Sequence, residues 1–491
     1  MSKARRFHLR CRDGLHRLAF IGLFCALQTG CSPGATVDAN ARQGVTLVLQ
    51  NATLIDAEGG PARKGMSVVI SDGRIVNIEK SERLRLQPGW QVESLEGQFL
   101  LPGLIDTHAH ATFLRDPEHF AGYDRATTER ILKILLAHGI TTIRNPAAPE
   151  AEAVALREDI RAGRVIGPRL LTAGRPIDWG KEHTPEEARA EVDRQAAFGV
   201  DYIKVYAKTT PRLLQAVIAA AHARGLPVVG HLQTTTPEEA VDAGIDAITH
   251  GATWTTALLP VSRRDAYRAR SREVGGLRAR IDWLTWVDLD GPEIDRSVSA
   301  VAAAQTPYDP TLIAYITKFR GRDPRYRNSP YLDVTPEEVL RTWDGWLDDW
   351  SADDIERGTA VWPRMLALVK QYYDAGALLT TGSDFPNPYV IPGAGLHDEM
   401  ALLVEAGIPP ADVLRIATRN GAESLGLLDE VGTIAVGKRA DLIVLRADPT
   451  RDIANIRRIS KVYLDGKMLL PSRLLHEAGV GNPYSEPVAP R

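Results

Sequence analysis

The stretch Leu101-Pro-Gly-Leu-Ile-Asp-Thr-His-Ala-His110 decides how this chain is read: an apolar run with the character of a strand, ending in two histidines one residue apart. In an extended strand the side chains at i and i+2 share one side, so His108 and His110 can converge on a single metal ion. An isolated His-x-His also fits two hydrogen-bonded strand histidines. The choice rests on whether later strand ends supply further ligands.

Working outward, seven more apolar runs follow, at 139–144, 169–174, 201–206, 227–232, 247–250, 308–312 and 377–384, with helical patterns between them. With the first run at 100–110 they make eight, the count of an α/β, (β/α)8 TIM barrel over 101–429. Thr184-Pro-Glu-Glu and Thr236-Pro-Glu-Glu each combine an N-cap threonine with proline in the first turn, so each opens a helix. Two inserts, near 252–305 and 317–362, interrupt the rhythm. In the second, Trp343, Trp346 and Trp350 stand at helical spacings, which predicts one aromatic face, either a core stripe or a lid. Flanking the barrel, 45–100 and 430–475 are rich in short β runs and Gly-Gly and Asp-Gly turns, and together predict a small composite β-sandwich domain.

Composition sets bounds on all of this. The chain has 491 residues, 44% of them hydrophobic, enough to bury a large core. A formal net charge of -3 gives no basic surface for nucleic acid. The N-terminus differs from the rest: Lys3, Arg5, Arg6, Arg10, Arg12 and Arg17 stand against Asp13 alone, followed by the short apolar run 18–27 and Gln28-Thr-Gly-Cys31. That order predicts a secretory signal peptide over 1–30 and a linker over 31–44. Gly30-Cys31 resembles a bacterial lipobox, from which Gln28 departs where leucine is preferred, and the resemblance implies a signal of the lipoprotein type with Cys31 lipidated; ordinary signal cleavage nearby is the alternative. All three cysteines, Cys11, Cys25 and Cys31, fall in or at the end of this leader, so the body has no thiol and cysteine catalysis is excluded. The expectation is an exported, periplasmic protein tethered by lipid, with the outer membrane favoured because Ser32 carries no acidic retention signal.

The histidine pair does not stand alone. Lys204 lies on the fourth run, His231 on the fifth, His250 on the sixth and Asp384 on the eighth. Each taken singly has a structural explanation, but a barrel gathers its strand ends in one mouth, so six ionisable groups placed there converge.

At these residues the chain resembles the metal-dependent amidohydrolase superfamily, in its imidazolonepropionase-like and prolidase-like branch. Pro102-Gly-Leu-Ile-Asp-Thr-His-Ala-His, Tyr202-Ile-Lys-Val, Gly230-His, Thr249-His-Gly, Thr381-Gly-Ser-Asp and Gly437-Lys-Arg-Ala-Asp-Leu-Ile-Val carry the likeness. The resemblance implies two divalent metal ions, with His108, His110 and Asp384 on one, His231 and His250 on the other, and a carboxylated Lys204 bridging them. An ammonium has no lone pair to offer a cation, whereas a lysine that has reacted with carbon dioxide presents two anionic oxygens. Zinc is the first choice, with manganese, cobalt and iron open to the same donors. Water shared by two such cations becomes acidic enough to supply hydroxide near neutral pH. The resemblance gives Asp384 the catalytic role of taking that water's proton and passing it to the leaving nitrogen.

Substrate contacts are less determined. Tyr206 follows Lys204 on the same strand face, His183 sits in the loop after the third run, His397 lies in Gly395-Leu-His-Asp-Glu after the eighth, and Arg144 could meet a substrate carboxylate, although the neighbouring Asn145 departs from the family's aspartate. His119, His138 and His222 read as structural or solvated. The function expected is hydrolysis of a C–N bond in a small molecule or dipeptide, by an Xaa-Pro dipeptidase or an N-acyl-amino-acid hydrolase. A cyclic amide or imidazolone ring hydrolase is the alternative, and a non-catalytic binding lipoprotein on the same fold is the alternative of another class. Homo-oligomerisation stays open.

Overall fold

The computed structural model describes residues 46–178, 183–346 and 348–483. The signal peptide, Cys31 and the linker lie outside the described residues. No helix among the described residues is long and apolar enough to cross a membrane.

The chain opens with β1 (Leu47–Leu54), β2 (Arg63–Ser71), β3 (Arg74–Lys80), β4 (Gln91–Ser94) and β5 (Phe99–Pro102). Then come β6 (Leu104–Asp106) and a hairpin of β7 (Leu114–Asp116) and β8 (Ala121–Tyr123). Parallel strands follow, separated by helices: β9 (Ile140–Asn145), β10 (Arg169–Thr172), β11 (Ile203–Val205), β12 (Val228–His231), β13 (Ala247–Thr249) and β14 (Tyr308–Asp309). The last three, β15 (Leu442–Leu445), β16 (Ile459–Leu464) and β17 (Lys467–Leu469), return to the first group.

Both ends of the chain share one eight-stranded sheet, ordered β17-β16-β15-β5-β1-β2-β3 with β4 also paired to β1. Its far edge meets the C-terminal segment again, since Ile75 N donates to Lys438 O and Ala440 N to Gly73 O. The period of two explains how it can do this. Met66, Val68 and Ile70 of β2, with Leu442 and Val444 of β15, fill a core private to the sheet. Ile443 and Leu445, on the opposite face of β15, join the main core instead. The sheet thus lies between two apolar layers.

The site is carried by the parallel strands. One group is β10-β9-β6 and another is β11-β12-β13-β14. They meet through an isolated bridge between Ile177 and Val205, and β14 reaches the segment after the long helix Ala352–Asp374 through a bridge between Tyr308 and Leu379. Thr107 N in turn donates to Thr381 O.

Three expectations are corrected here. The run 100–110 is two strands, broken at Gly103: β5 pairs antiparallel with β15, while β6 pairs parallel with β9. A Cβ on Gly103 would stand 2.1 Å from Thr141 Oγ1, so only glycine lets the chain cross between the sheets there. His108 and His110 therefore follow the strand rather than lie in it. The run 377–384 forms no strand beyond its single bridge and proceeds through turns to Asp384. Finally, Trp343, Trp346 and Trp350 share no helix. A 3-10 turn ends at Trp343, Asp344 turns extended, Gly345 takes a positive φ of 72°, and a new capping box between Ser351 and Asp354 starts the long helix only at Ala352. Trp343 and Trp350 are nonetheless buried, and Trp346 is exposed. The capping boxes at Thr184 and Thr236 are both present.

Candidate metal centre

All six residues singled out at strand ends meet in one place. Asp384 is the hub: His108 Nε2 lies 3.3 Å and His110 Nε2 3.4 Å from its Oδ1, and His250 Nδ1 lies 3.9 Å from its Oδ2. The His231 and His250 rings are 4.0 Å apart between centroids, and His108 is 5.0 Å from His250. Lys204 donates from Nζ to Thr249 Oγ1 at 2.9 Å, which holds the amine beside the residue that precedes His250.

Local backbone geometry fixes these positions. Asp106 accepts from His108 N and from both the backbone N and the hydroxyl of Ser383, so one buried carboxylate clamps the turn bearing His108 to the turn bearing Asp384. Asp384 N donates to His108 O, and His110 N to Phe385 O. His250 and Asp384 both hold left-handed backbone, with φ of 77° and 54°. Such conformations cost about 1–3 kcal/mol in side-chain-bearing residues and gather at functional sites. Thr311, another left-handed residue, holds its hydroxyl 2.8 Å from His250 Nδ1 and so orients that ring.

Burial sets the charges. It pulls His108 down to about 3, with Lys204 acting in the same direction, and holds His231 and His250 well below the usual imidazole range. Burial pushes Asp384 the other way, but the charge and hydrogen bond of His108, with help from His110 and His250, outweigh it and keep the carboxyl well below its usual range. The direction that stands is an ionised carboxylate among neutral imidazoles. Burial and the Arg144 charge bring Lys204 down to about 7 against the pull of Asp384 and Asp309. Burial raises Asp106 to about 7 and Asp309 to about 6.

Neutral imidazoles and a carboxylate are the donors a divalent cation takes. The ligand atoms of His108, His110 and Asp384 all lie within 4.8 Å of one another. His108 Nδ1 is buried with no hydrogen-bond partner among the described residues. Donor set and spacing fit a metal at this corner.

The sequence profile of the Amidohydrolase family matches residues 99–258 and 357–469, more than half of the chain. This chain belongs to the amidohydrolase family. Members are typically metal-dependent, in keeping with the His108, His110 and Asp384 cluster. Among relatives, the adenine deaminase of Paracoccus denitrificans is 23% identical over 83% of this chain, which spans only 55% of that enzyme. The imidazolonepropionase of Rubrobacter xylanophilus is 25% identical over 79% of this chain and 86% of its own length. Among solved folds, an Xaa-Pro dipeptidase with bound methionine in its active site superposes with a TM-score of 0.64 at 21% identity, covering 87% of this chain and all of the other. Bottromycin amidohydrolase gives 0.66 at 24% identity, over 89% and 91% of the two chains.

The four candidate substrate contacts separate. Tyr206 reaches the cluster, its ring 4.8 Å from that of His231, and burial raises its hydroxyl to about 12. Arg144 is buried and donates to Thr107 O at 2.7 Å, with its guanidinium over the Tyr202 ring and near Ser424 Oγ. Its contacts thus lie among the strands, although its charge is felt at Lys204. His397 is buried and packs against His138 rather than any of the six, with Nε2 2.9 Å from His138 O. His183 is exposed, and its backbone N–H joins the cap of the helix Pro185–Phe198 by donating to Glu187.

Three further groups at the site were not singled out from the sequence. Asp309 closes β14 and accepts from Thr107 Oγ1 at 2.9 Å. It ends β14, so the strand-end argument that found the other residues applies to it as well. Arg280 and Lys318 come from the inserts, where no strand pattern marks a mouth. Arg280 stands over the Trp254 and Tyr315 rings at 5.6 and 5.5 Å, and Lys318 donates to Asn387 Oδ1 at 2.6 Å. Burial lowers Lys318 to about 8.

Proposed function

We propose that this protein hydrolyses a C–N bond of the amide or peptide kind, with dipeptides and N-acyl amino acids as the first substrates to try. The observation that carries this reading is the convergence of His108, His110 and Asp384 within 4.8 Å, with Lys204, His231 and His250 beside them. His108, His110 and Asp384 would hold one divalent ion, His231 and His250 a second, and Lys204, carboxylated on Nζ by carbon dioxide with loss of a proton, would lie between them. Zinc is the first choice. When bound, such a pair supplies an acidified water and a Lewis acid for the scissile carbonyl.

The chain's own residues do the rest. Asp384, ionised and facing the three imidazoles, receives the proton of the attacking water and returns it to the leaving nitrogen, so that amide and water become carboxylate and amine. Tyr206, beside His231, is placed to donate to the carbonyl oxygen as charge gathers there. The buried walls around His108 and His250 keep bulk water from the reacting atoms.

A ring-opening hydrolase of cyclic amides or imidazolones is the second reading, favoured by the 25% identity to an imidazolonepropionase over 86% of that enzyme's length. One experiment weighs both: metal analysis of the purified protein, then a screen of dipeptides, N-acyl amino acids and cyclic amides with Asp384→Asn as control. Absence of metal together with unchanged turnover in the variant would falsify the hydrolase reading.

Two architectural readings go with it. β6, β9 to β14 and 377–384 would be the eight staves of a closed (β/α)8 barrel spanning 101–429, for which the bond from Thr107 N to Thr381 O and the bridge from Tyr308 to Leu379 speak. The eight-stranded sheet with its private core would be the sandwich domain of 45–100 and 430–475. Residues 1–30 would direct export to the periplasm, with Cys31 as the lipidated anchor. Mass spectrometry of the mature N-terminus decides that point, and an unmodified first residue other than Cys31 would exclude the anchor.

A further inference from the structure

The family match leaves out residues 259–356, and this stretch sends two cations to the metal cluster. Arg280, on the helix Gly276–Trp286, is half-buried, and its guanidinium lies over two aromatic rings. Among the described residues no carboxylate pairs with it. Lys318, on the helix Leu312–Phe319, is only 7% exposed, and it too has no carboxylate partner among the described residues, only the amide oxygen of Asn387.

Both cations are within a short reach of the reacting groups. Tyr315 stands edge-on to His250 with centroids 6.1 Å apart. The Arg280 guanidinium is 5.5 Å from the centroid of that same ring, and Lys318 Nζ is 6.0 Å from it. Asn387, which accepts from Lys318, donates its own amide N–H to Asp384 O at 2.7 Å. Lys318 is thus one side chain removed from Asp384, and Arg280 one ring removed from His250.

Lys318 is nearly buried and Arg280 half-buried, neither pairs with a carboxylate among the described residues, and the negative charge felt at Lys318 is that of Asp384, so further negative charge brought by a ligand is favourable at both cations. Arginine presents a planar fork that matches a carboxylate, and the ammonium of lysine adds a point charge. We propose that Arg280 and Lys318 form the receptor for a substrate carboxylate, so that the enzyme selects an N-acyl amino acid or dipeptide with a free α-carboxylate over its neutral counterpart. The aromatic rings of Trp254 and Tyr315 orient the guanidinium for that contact. The inference rests on the hydrolase reading, because it concerns the substrate of the same site.

The test uses the metal-loaded full chain and pairs of substrates that differ only in the terminus, acid against primary amide. The wild type is expected to favour the acid by at least about a hundredfold in kcat/KM. In Arg280→Gln the acid's KM rises about tenfold or more with a smaller change in kcat, so that the acid-over-amide preference shrinks by at least that factor. Lys318→Gln acts in the same direction. Calorimetry with the free amino-acid product gives a readout apart from turnover, and binding weakens in both variants. Equal turnover of acid and amide by the wild type overturns the inference while leaving the hydrolase reading intact, and so does a preference that survives both substitutions. Failure of the loaded wild type to cleave any member of the pairs refutes the hydrolase reading itself, and the inference with it. If Arg280→Gln does not fold, the wild-type comparison and Lys318→Gln still decide.

Discussion

Two regions of this molecule meet at one mouth and are built on different rules. The matched segments, 99–258 and 357–469, hold all six candidate ligands and fix them by backbone: clamped turns, left-handed residues and buried carboxylates such as Asp106. The unmatched segment, 259–356, contributes helices, aromatic rings and two cations held by side chains alone. A metal cluster would tolerate little displacement, and the frame that carries these residues is tightly clamped. A recognition wall has to differ from one substrate to the next, and under the proposal above it comes from an insert, with the chemistry left to the frame.

The most severe way to break that division is Asp384→Asn. If the frame does the chemistry, kcat falls about 10²–10⁴-fold for every substrate cleaved, acid or amide alike, because the proton carrier is gone. Steady-state kinetics on both termini check this, and a loss confined to acids would move Asp384 into the recognition wall. Lys204→Ala comes next. Its expected effect is on metal content, which elemental analysis reads: the variant retains fewer ions than the wild type, and activity falls with them. Full metal occupancy in Lys204→Ala would remove the lysine from the ligand set.

Gly382→Ala tests the rigidity of the frame apart from its chemistry. A Cβ there would stand 2.1 Å from Asp309 Oδ2 and 2.6 Å from His108 Cβ, both buried. Overpacking of this kind costs about 1–3 kcal/mol. Denaturant titration should register that loss, accompanied by weaker metal retention because His108 is one of the two groups displaced. A variant as stable as the wild type would mean that the turn at Gly382 yields easily.

How much of this could be read from the chain follows the same division. His108, His110, His231, His250 and Asp384 were legible because each closes a short apolar run, and barrel logic turns a set of strand ends into a cluster. The break at Gly103 was not legible, because it depends on a contact with Thr141 from a different strand. Nor was the loss of strand structure at 377–384, where residues 379–384 are buried without a regular ladder. The tryptophans misled because spacing is blind to termination: Asp344 and Gly345 stop the helix that the 343–350 pattern suggests. Arg280 and Lys318 left no trace at all, since a cation on an amphipathic insert helix looks like any solvated charge until Trp254 and Tyr315 are seen beneath it.

Trp346 gives the smallest effect and the finest test of the insert. It is 45% exposed, and Lys318 Nζ lies 5.6 Å from its ring centroid. Removing the ring in Trp346→Ala withdraws a cation–π contact of about 0.5–1 kcal/mol at such a site. If Lys318 belongs to the recognition wall, the loss emerges as a roughly two- to fivefold rise in KM for acids, because the ammonium is held less firmly over Tyr315. Thermal stability should barely move, since an exposed indole contributes little buried area. The opposite outcome, a lowered melting temperature with KM unchanged, would make Trp346 a packing residue of the insert and leave Lys318 positioned by Asn387 and Tyr315.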